Sequence, residues 1–107
     1  MQQIGARELQ QWLQDESRAS PLLLDVRESW EYRHCHIADS RLVPMHSVPD
    51  KLDTLDKHAQ IVVICHHGMR SMQVARFLEH AGFDQVYNLQ GGVDSWAQRV
   101  DTSMPTY

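Results

Sequence analysis

Short apolar runs alternate along this chain with segments in which apolar side chains recur at helical spacing. The runs predict β-strands around Ile4 and over residues 22–25, 41–43, 61–64 and 86–89. Residues 61–64 (IVVI) are apolar throughout, as is typical of a central parallel strand that is buried on both faces. Because strands alternate with helical segments, we expect an α/β sandwich: a parallel sheet of about five strands with helices on both faces.

The helical spacing predicts helices between and after these strands. They cover residues 6–15, 28–34 and 48–55, then a segment from near Ser71 to Gly82, and finally the residues after Gly91 and Gly92. Gly82 stands where a glycine commonly closes a helix. Residues 102–107 show no pattern and are predicted to be irregular.

Length and composition indicate one domain, residues 1–107. The chain has 107 residues, a net charge of −4 and no basic run, which argues against nucleic acid as a partner. No apolar stretch is long enough to span a membrane, and the first residues lack the features of a signal peptide. We therefore expect a cytoplasmic protein that binds no membrane and whose two cysteines, Cys35 and Cys65, are free thiols.

Cys65 is the strongest candidate for a reactive residue. It follows the most β-prone run of the chain, and a glycine-containing loop and a predicted helix come directly after it. Unpaired N–H groups of such a loop, and the positive end of the helix dipole, favour a thiolate and attract anions. Asp25 ends a second strand, and in a parallel sheet the carboxyl ends of the strands share the edge where ligands bind. The alternative is a buried structural cysteine, which fits poorly with the nearby Gly68 and Arg70.

Three segments of the sequence form a specific set. They are residues 24–32 with 36–37 (LDVRESWEY and HI), residues 65–71 (CHHGMRS) and residues 89–96 (LQGGVDSW). In this order they resemble the D-V-R-E-x-x-E-Y…G-H-I block, the C-x-x-G-x-R-S active-site loop and the L-x-G-G-x-x-x-W segment of the single-domain rhodaneses, which are sulfurtransferases. Each motif is weak alone, but together they span nearly the whole chain. The chain departs from the family at Cys35, where glycine is usual.

The resemblance implies a rhodanese-like three-layer sandwich and sulfur transfer in two halves. Cys65 would be the catalytic nucleophile, taking sulfane sulfur from thiosulfate or a persulfide donor and carrying it as a persulfide. The acceptor would be cyanide, a small thiol or a thiol-bearing protein, and neither a metal nor an organic cofactor would be needed. The substrate-binding loop would wrap its backbone N–H groups around the sulfur; it consists of His66, His67, Gly68, Met69, Arg70 and Ser71.

Residue types suggest individual roles within this loop. The resemblance implies that Arg70 attracts an anionic donor such as thiosulfate, which suits a guanidinium in an anion-binding loop. Gly68 suits a backbone position with positive φ, and Ser71 is expected to be the N-cap of the helix. His66 and His67 either assist proton transfer or line the pocket.

Asp25 and Arg27 lie near the same sheet edge and have two interpretations. They either support catalysis or form an ion pair that fixes the loops; we favour the ion pair for Arg27, whereas the sequence leaves Asp25 open. A metal site built from residues 34–36 and 65–67 has suitable ligand types. Its spacing matches no recognised pattern, so no metal site is predicted.

Two other functions are compatible with a cysteine loop of this kind. A sulfur-carrier module would receive persulfide from a partner protein, and the sequence does not separate it from an enzyme. A phosphatase or arsenate reductase would use a related loop that is one residue longer. Because only four residues separate Cys65 from Arg70, the tighter loop suits a sulfur atom, and sulfur transfer is the predicted function.

Overall fold

The computed structural model describes every residue of the chain, 1–107. Its strands are β1 (Gln2–Ile4), β2 (Leu22–Asp25), β3 (Arg41–Leu42), β4 (Ile61–Ile64) and β5 (Val86–Leu89). Its helices are α1 (Ala6–Gln14), α2 (Ser29–His34), α3 (Val48–Lys51), α4 (Met69–His80) and α5 (Gly92–Arg99). The sheet order is β1-β5-β4-β2-β3 and every pair is parallel, which confirms the predicted sheet. None of the helices has the length and apolar character needed to cross a bilayer.

Helices cover both faces of the sheet because β4 is apolar on both. Val62 and Ile64 belong to a core that includes side chains of α1 and α5, among them Leu9, Trp12, Val93 and Trp96. Ile61 and Val63 belong to the opposite core, which includes Val74, Ala75 and Leu78 of α4. Parallel pairing places Asp25 beside Ile64, so the carboxyl ends of β2 and β4 lie together at one edge of the sheet.

Two predicted helices differ from the structure by more than one residue. The predicted helix over 48–55 is α3 flanked by two 3₁₀ turns, Met45–Ser47 and Leu52–Thr54. The sequence missed this break because the spacing of its apolar residues is compatible with α-helical and with 3₁₀ turns. The helix after Cys65 begins at Met69 instead of near Ser71, because Gly68, with φ of 102°, is its N-cap. The glycine at 82 follows that helix with φ of 97°, as predicted.

Candidate active site

Cys65 follows the last residue of β4 at the carboxyl edge of the sheet, with 1% of its surface exposed. The Gly68 N–H donates a hydrogen bond to Cys65 Sγ over 3.0 Å, and Ser71 Oγ lies 3.2 Å from the same sulfur. The first turn of α4 therefore packs against the sulfur, whereas Met69 in that turn is 69% exposed. An N–H donor and the positive end of a helix dipole both stabilise negative charge, so the site can hold an anionic sulfur.

A buried hydrogen-bond chain connects Cys65 to β5. Ser71 is not the N-cap of α4, contrary to the sequence prediction, because Gly68 takes that position; its hydroxyl instead donates to Asn88 Oδ1. Asn88 Nδ2 donates to the Gly68 carbonyl at 3.2 Å and to Gln3 Oε1 at 2.8 Å. A hydroxyl has one proton, and here that proton points at Asn88. The oxygen of Ser71 can therefore accept a hydrogen bond from the thiol of Cys65.

The N-terminus of α5 packs directly on the backbone of the loop. The N–H groups of Val93 and Asp94 donate to the carbonyls of Cys65 and His66, at 2.9 Å and 3.1 Å. Gly92 permits this approach: it has φ of 59°, and a Cβ there would lie 2.3 Å from the Cys65 oxygen and 2.4 Å from the His66 oxygen. Gly92 of the third sequence motif therefore lets α5 approach closely enough for its first N–H groups to hold the carbonyls of the loop.

Arg70 is held by Glu31 of α2. Arg70 NH1 and NH2 donate to the two oxygens of Glu31 at 2.8 Å and 2.9 Å, and the side chain of Glu31 is only 5% exposed. The hydrogen bonds from Arg70, helped by the Glu28 N–H, lower the pKa of Glu31 to about 2 although burial opposes this shift. The Glu31 hydrogen bonds, and more weakly the charge of a Cys65 thiolate, raise the pKa of Arg70. Two of the five guanidinium N–H groups are used in this pair, which leaves the other three without a partner in it.

Asp25 and Arg27 form the ion pair that the sequence suggested, and neither side chain is exposed. Arg27 Nε and NH2 donate to the Asp25 carboxylate at 2.9 Å and 2.7 Å. Arg27 NH2 also donates to the Cys35 carbonyl at 2.7 Å, and NH1 donates to the hydroxyl of Tyr107 at 2.9 Å. Burial acts to lower the pKa of Arg27, but the hydrogen bonds to Asp25 and Tyr107 outweigh it and raise the pKa, so Arg27 stays charged.

The two histidines of the loop stack on each other, with ring centroids 3.9 Å apart. Desolvation, and then the neighbouring His67, lower the pKa of His66. His67 Nδ1 lies 3.7 Å from Asp94 Oδ2. His66, His67 and Asp94 each offer one possible metal-ligand atom, and these three atoms lie within 4.8 Å of one another. This group is not the same set as residues 34–36 and 65–67, whose side chains the sequence offered as possible metal ligands. The expectation of no metal stays a prediction.

Comparison with known proteins identifies the family. The sequence profile of the Rhodanese-like domain matches residues 6–99. The chain belongs to the rhodanese-like family. It is 35% identical over 78 residues to the thiosulfate sulfurtransferase GlpE of Stutzerimonas stutzeri, covering 73% of this chain and 72% of GlpE. It is 33% identical over 96 residues to a sulfurtransferase of Allochromatium vinosum, covering 90% of this chain and 88% of that protein.

A solved structure agrees with this assignment. The crystal structure of a rhodanese-like domain protein from Staphylococcus aureus matches the fold with a TM-score of 0.84 at 28% identity, covering 100% of this chain and 99% of that one. Fold and sequence therefore point to the same rhodanese-like family of sulfurtransferases.

Cys35 departs from the rhodanese pattern without disturbing the turn. Its φ is −162°, which is extended backbone that any residue adopts, so glycine is not required there. Both cysteines are free thiols, as predicted. Cys35 packs in the core beneath α1 and α5, whereas Cys65 belongs to the core on the opposite face of the sheet. A disulfide between them would need a rearrangement of the backbone.

Three residues of this rhodanese-like site were missed by sequence reasoning: Glu31, Asn88 and Tyr107. Glu31 lies inside the first motif, but nothing in the sequence indicated that it binds Arg70. Asn88 carries a signal in the sequence, because a polar residue in an otherwise apolar strand needs a buried hydrogen-bond partner. Tyr107 lies in the segment that was predicted to be irregular, which carries no periodic pattern.

The Glu31–Arg70 pair predicts a pH dependence of stability. The pKa of Glu31 falls from 4.5 to about 2 on folding, so its stabilising contribution is fully present above pH 4.5 and is lost as the pH drops towards 2. Glu31→Gln should therefore lower the free energy of unfolding at pH 7 by up to about 3 kcal/mol. It should also lose less stability than the wild type when the pH falls from about 5 to about 3.

Urea unfolding of both proteins at several pH values measures this difference. Glu16→Gln is the matched control, since Glu16 is exposed, and its stability should follow the wild-type curve. Parallel stability curves for Glu31→Gln and the wild type would show that the pair does not stabilise the folded state.

Proposed function

We propose that this protein is a sulfurtransferase that moves sulfane sulfur from thiosulfate or a persulfide donor to a thiophilic acceptor through a persulfide on Cys65. The observation that carries the proposal is the hydrogen bond from the Gly68 N–H to Cys65 Sγ, 3.0 Å long, at the N-terminus of α4. The relatives named as sulfurtransferases support the same chemistry. The acceptor is cyanide, a small thiol or a thiol-bearing protein, and the reaction uses no metal and no organic cofactor.

The first half-reaction begins with the thiolate of Cys65, which attacks the outer sulfur of thiosulfate. A new S–S bond forms while the S–S bond of thiosulfate breaks, and its electron pair leaves with sulfite. In the second half-reaction the acceptor attacks the terminal sulfur, the persulfide bond breaks, and Cys65 recovers its thiolate. The Gly68 N–H stabilises negative sulfur at the beginning and end of each cycle, and no external oxidant or reductant is consumed.

The length of the loop favours sulfur transfer over phosphoryl transfer. Four residues separate Cys65 from Arg70, and the Gly68 N–H points at the sulfur itself. A phosphate held against the cysteine would need N–H groups directed at its oxygens, which lie further out than the sulfur. We therefore expect this loop to bind phosphate and arsenate weakly.

Two assays on the same preparation test the proposed function. With thiosulfate and cyanide, the wild-type protein should form thiocyanate; with p-nitrophenyl phosphate it should show negligible hydrolysis. Replacing thiosulfate by a protein persulfide then shows which donor is preferred. Phosphatase turnover comparable to thiocyanate formation, or no sulfur transfer from either donor, would contradict the proposal.

Arg70→Ala should weaken the binding of an anionic donor more than it slows the chemical step. The three N–H groups of Arg70 that Glu31 leaves free are available to thiosulfate, and losing a charge-assisted hydrogen bond costs about 1–3 kcal/mol. The KM for thiosulfate should therefore rise by roughly tenfold or more while kcat changes less. Steady-state kinetics with varied thiosulfate measure both constants.

Arg76→Ala is the matched control, because Arg76 is an exposed arginine on the same helix. Its kinetics should equal those of the wild type. An unchanged KM in Arg70→Ala would show that Arg70 serves only the ion pair with Glu31.

A further inference from the structure

Tyr107 connects two ion pairs that border the Cys65 loop. Its hydroxyl donates to Glu31 Oε2 at 2.7 Å and accepts a hydrogen bond from Arg27 NH1 at 2.9 Å. The residue is 37% exposed, and its partial burial raises the pKa of Tyr107 to about 12, so the hydroxyl keeps the proton that it donates. Through Tyr107, the fully buried Arg27 is linked to the carboxylate that holds Arg70.

Three aromatic side chains pack against the ring of Tyr107 and hold it in place. It stacks on His66 with ring centroids 3.8 Å apart and an interplanar angle of 10°. Trp30 and His34 meet it edge-on, with centroids at 5.7 Å and 5.6 Å. His34 Nε2 also lies 3.1 Å from the Thr106 carbonyl, so the backbone before Tyr107 is held as well. Tyr107 thus contacts the loop at His66 and reaches Arg70, at the other end of the loop, through Glu31.

We infer that Tyr107 is a positioning residue for sulfur transfer, which holds Glu31 so that the Arg70 guanidinium keeps a fixed position on the Cys65 loop and draws in an anionic donor. This inference rests on the proposed function. Besides Tyr107, Glu31 is held by Arg70 and by the Glu28 N–H, which donates to Oε1 at 3.0 Å. Both of these partners lie at or near the surface, whereas Arg27 has no exposed surface, so Tyr107 is the contact that ties Glu31 to a fixed anchor and restricts its rotamer freedom. The family profile ends at residue 99, so Tyr107 lies outside the residues that the rhodanese-like match covers.

Alkylation of Cys65 tests this role without relying on sulfur transfer. Iodoacetate and iodoacetamide both react with a thiolate, which displaces iodide and forms a thioether, but only iodoacetate is an anion. Tyr107→Phe removes the hydroxyl and keeps the ring. It should lower the rate with iodoacetate about three- to tenfold, as expected for one lost hydrogen bond, and leave the rate with iodoacetamide within about twofold. Mass spectrometry of the Cys65 peptide over time gives both rates.

Kinetics should show the same selectivity. In Tyr107→Phe the KM for thiosulfate should rise by about the factor lost with iodoacetate, while kcat changes little. Tyr87→Phe is the control, since Tyr87 packs edge-on against Trp12 of α1, with centroids 5.2 Å apart, in the core on the face of the sheet opposite to that of Cys65. It should match the wild type in both assays, and thermal unfolding verifies that each variant is folded.

A double-mutant cycle tests whether Tyr107 acts through Glu31. Glu31→Ala should lower the alkylation rate with iodoacetate by itself, and adding Tyr107→Phe to it should produce no further decrease. Additive effects in the double variant would overturn the proposed route. An unchanged ratio of the two alkylation rates in Tyr107→Phe would overturn the inference itself, whether both rates stay the same or both change by the same factor.

The outcomes also separate this inference from the proposed function. If the wild type forms no thiocyanate but Tyr107→Phe still lowers the iodoacetate rate selectively, sulfur transfer is wrong and the positioning role stands. If the wild type forms thiocyanate and Tyr107→Phe leaves both the alkylation ratio and the KM unchanged, the function stands and the positioning role is wrong.

Discussion

Replacing Cys65 with alanine is expected to lower kcat/KM for thiocyanate formation by roughly a thousandfold or more. In the proposed reaction each half-reaction forms or breaks an S–S bond at this sulfur, and Cys35 lies in the core on the other face of the sheet. The substitution leaves the Gly68 N–H without its partner, which costs about 1–3 kcal/mol of folding free energy. The fold should persist, because this loss is smaller than the stability of a typical domain. Steady-state kinetics and thermal unfolding of one preparation measure both effects.

Cys35→Ala is the matched control for this experiment. Cys35 is also a buried free thiol, so the variant removes the same chemical group at a distance from the loop. It should keep most of the wild-type activity. Substantial thiocyanate formation by Cys65→Ala, or a comparable loss in Cys35→Ala, would place the nucleophile elsewhere.

Gly92→Ala should destabilise the protein by at least about 4 kcal/mol, because its Cβ cannot be accommodated. The new atom would lie 2.3 Å from the Cys65 carbonyl oxygen and 2.4 Å from that of His66, both of which are backbone atoms held by α5. The positive φ of 59° adds strain. Thermal unfolding should show a decrease in Tm of about 15 °C or more, or the variant should fail to fold.

Gly82→Ala separates backbone strain from the steric clash. Gly82 also has a positive φ, of 97°, but a Cβ there would meet only the Lys57 side chain at 3.7 Å, an ordinary contact. This variant should lose about 1–2 kcal/mol, the cost of placing alanine in the left-handed region. Equal decreases in Tm for the two variants would show that close packing of α5 on the loop does not limit the substitution.

The three longest strands were predictable because each buries a mainly apolar run. Residues 22–25, 61–64 and 86–89 form strands with the predicted boundaries, since a run of apolar side chains bounded by polar residues leaves little choice of register. The segment 48–55 was less predictable, because a few apolar residues fit either of two turn geometries. Ser71 was misplaced as a cap because Gly68, with its left-handed backbone, took that position.

The loop around Cys65 was predictable as a local unit, whereas the contacts that support it were not. A strand, a cysteine, a glycine and a helix in succession determine where the sulfur lies. The partner of Arg70 is 39 residues away in sequence, and Tyr107 is 76 residues from Glu31. Periodicity places residues on an edge or a face, but it does not indicate which polar side chains pair across that edge.

Mass spectrometry of the wild-type protein after brief exposure to thiosulfate tests the central claim most directly. We expect that the peptide containing Cys65 gains the mass of one sulfur atom and that the peptide containing Cys35 does not. Cyanide should remove the addition, with one thiocyanate released for each sulfur lost. Thiocyanate formation without any added sulfur on Cys65, or an added sulfur found on Cys35 alone, would contradict it.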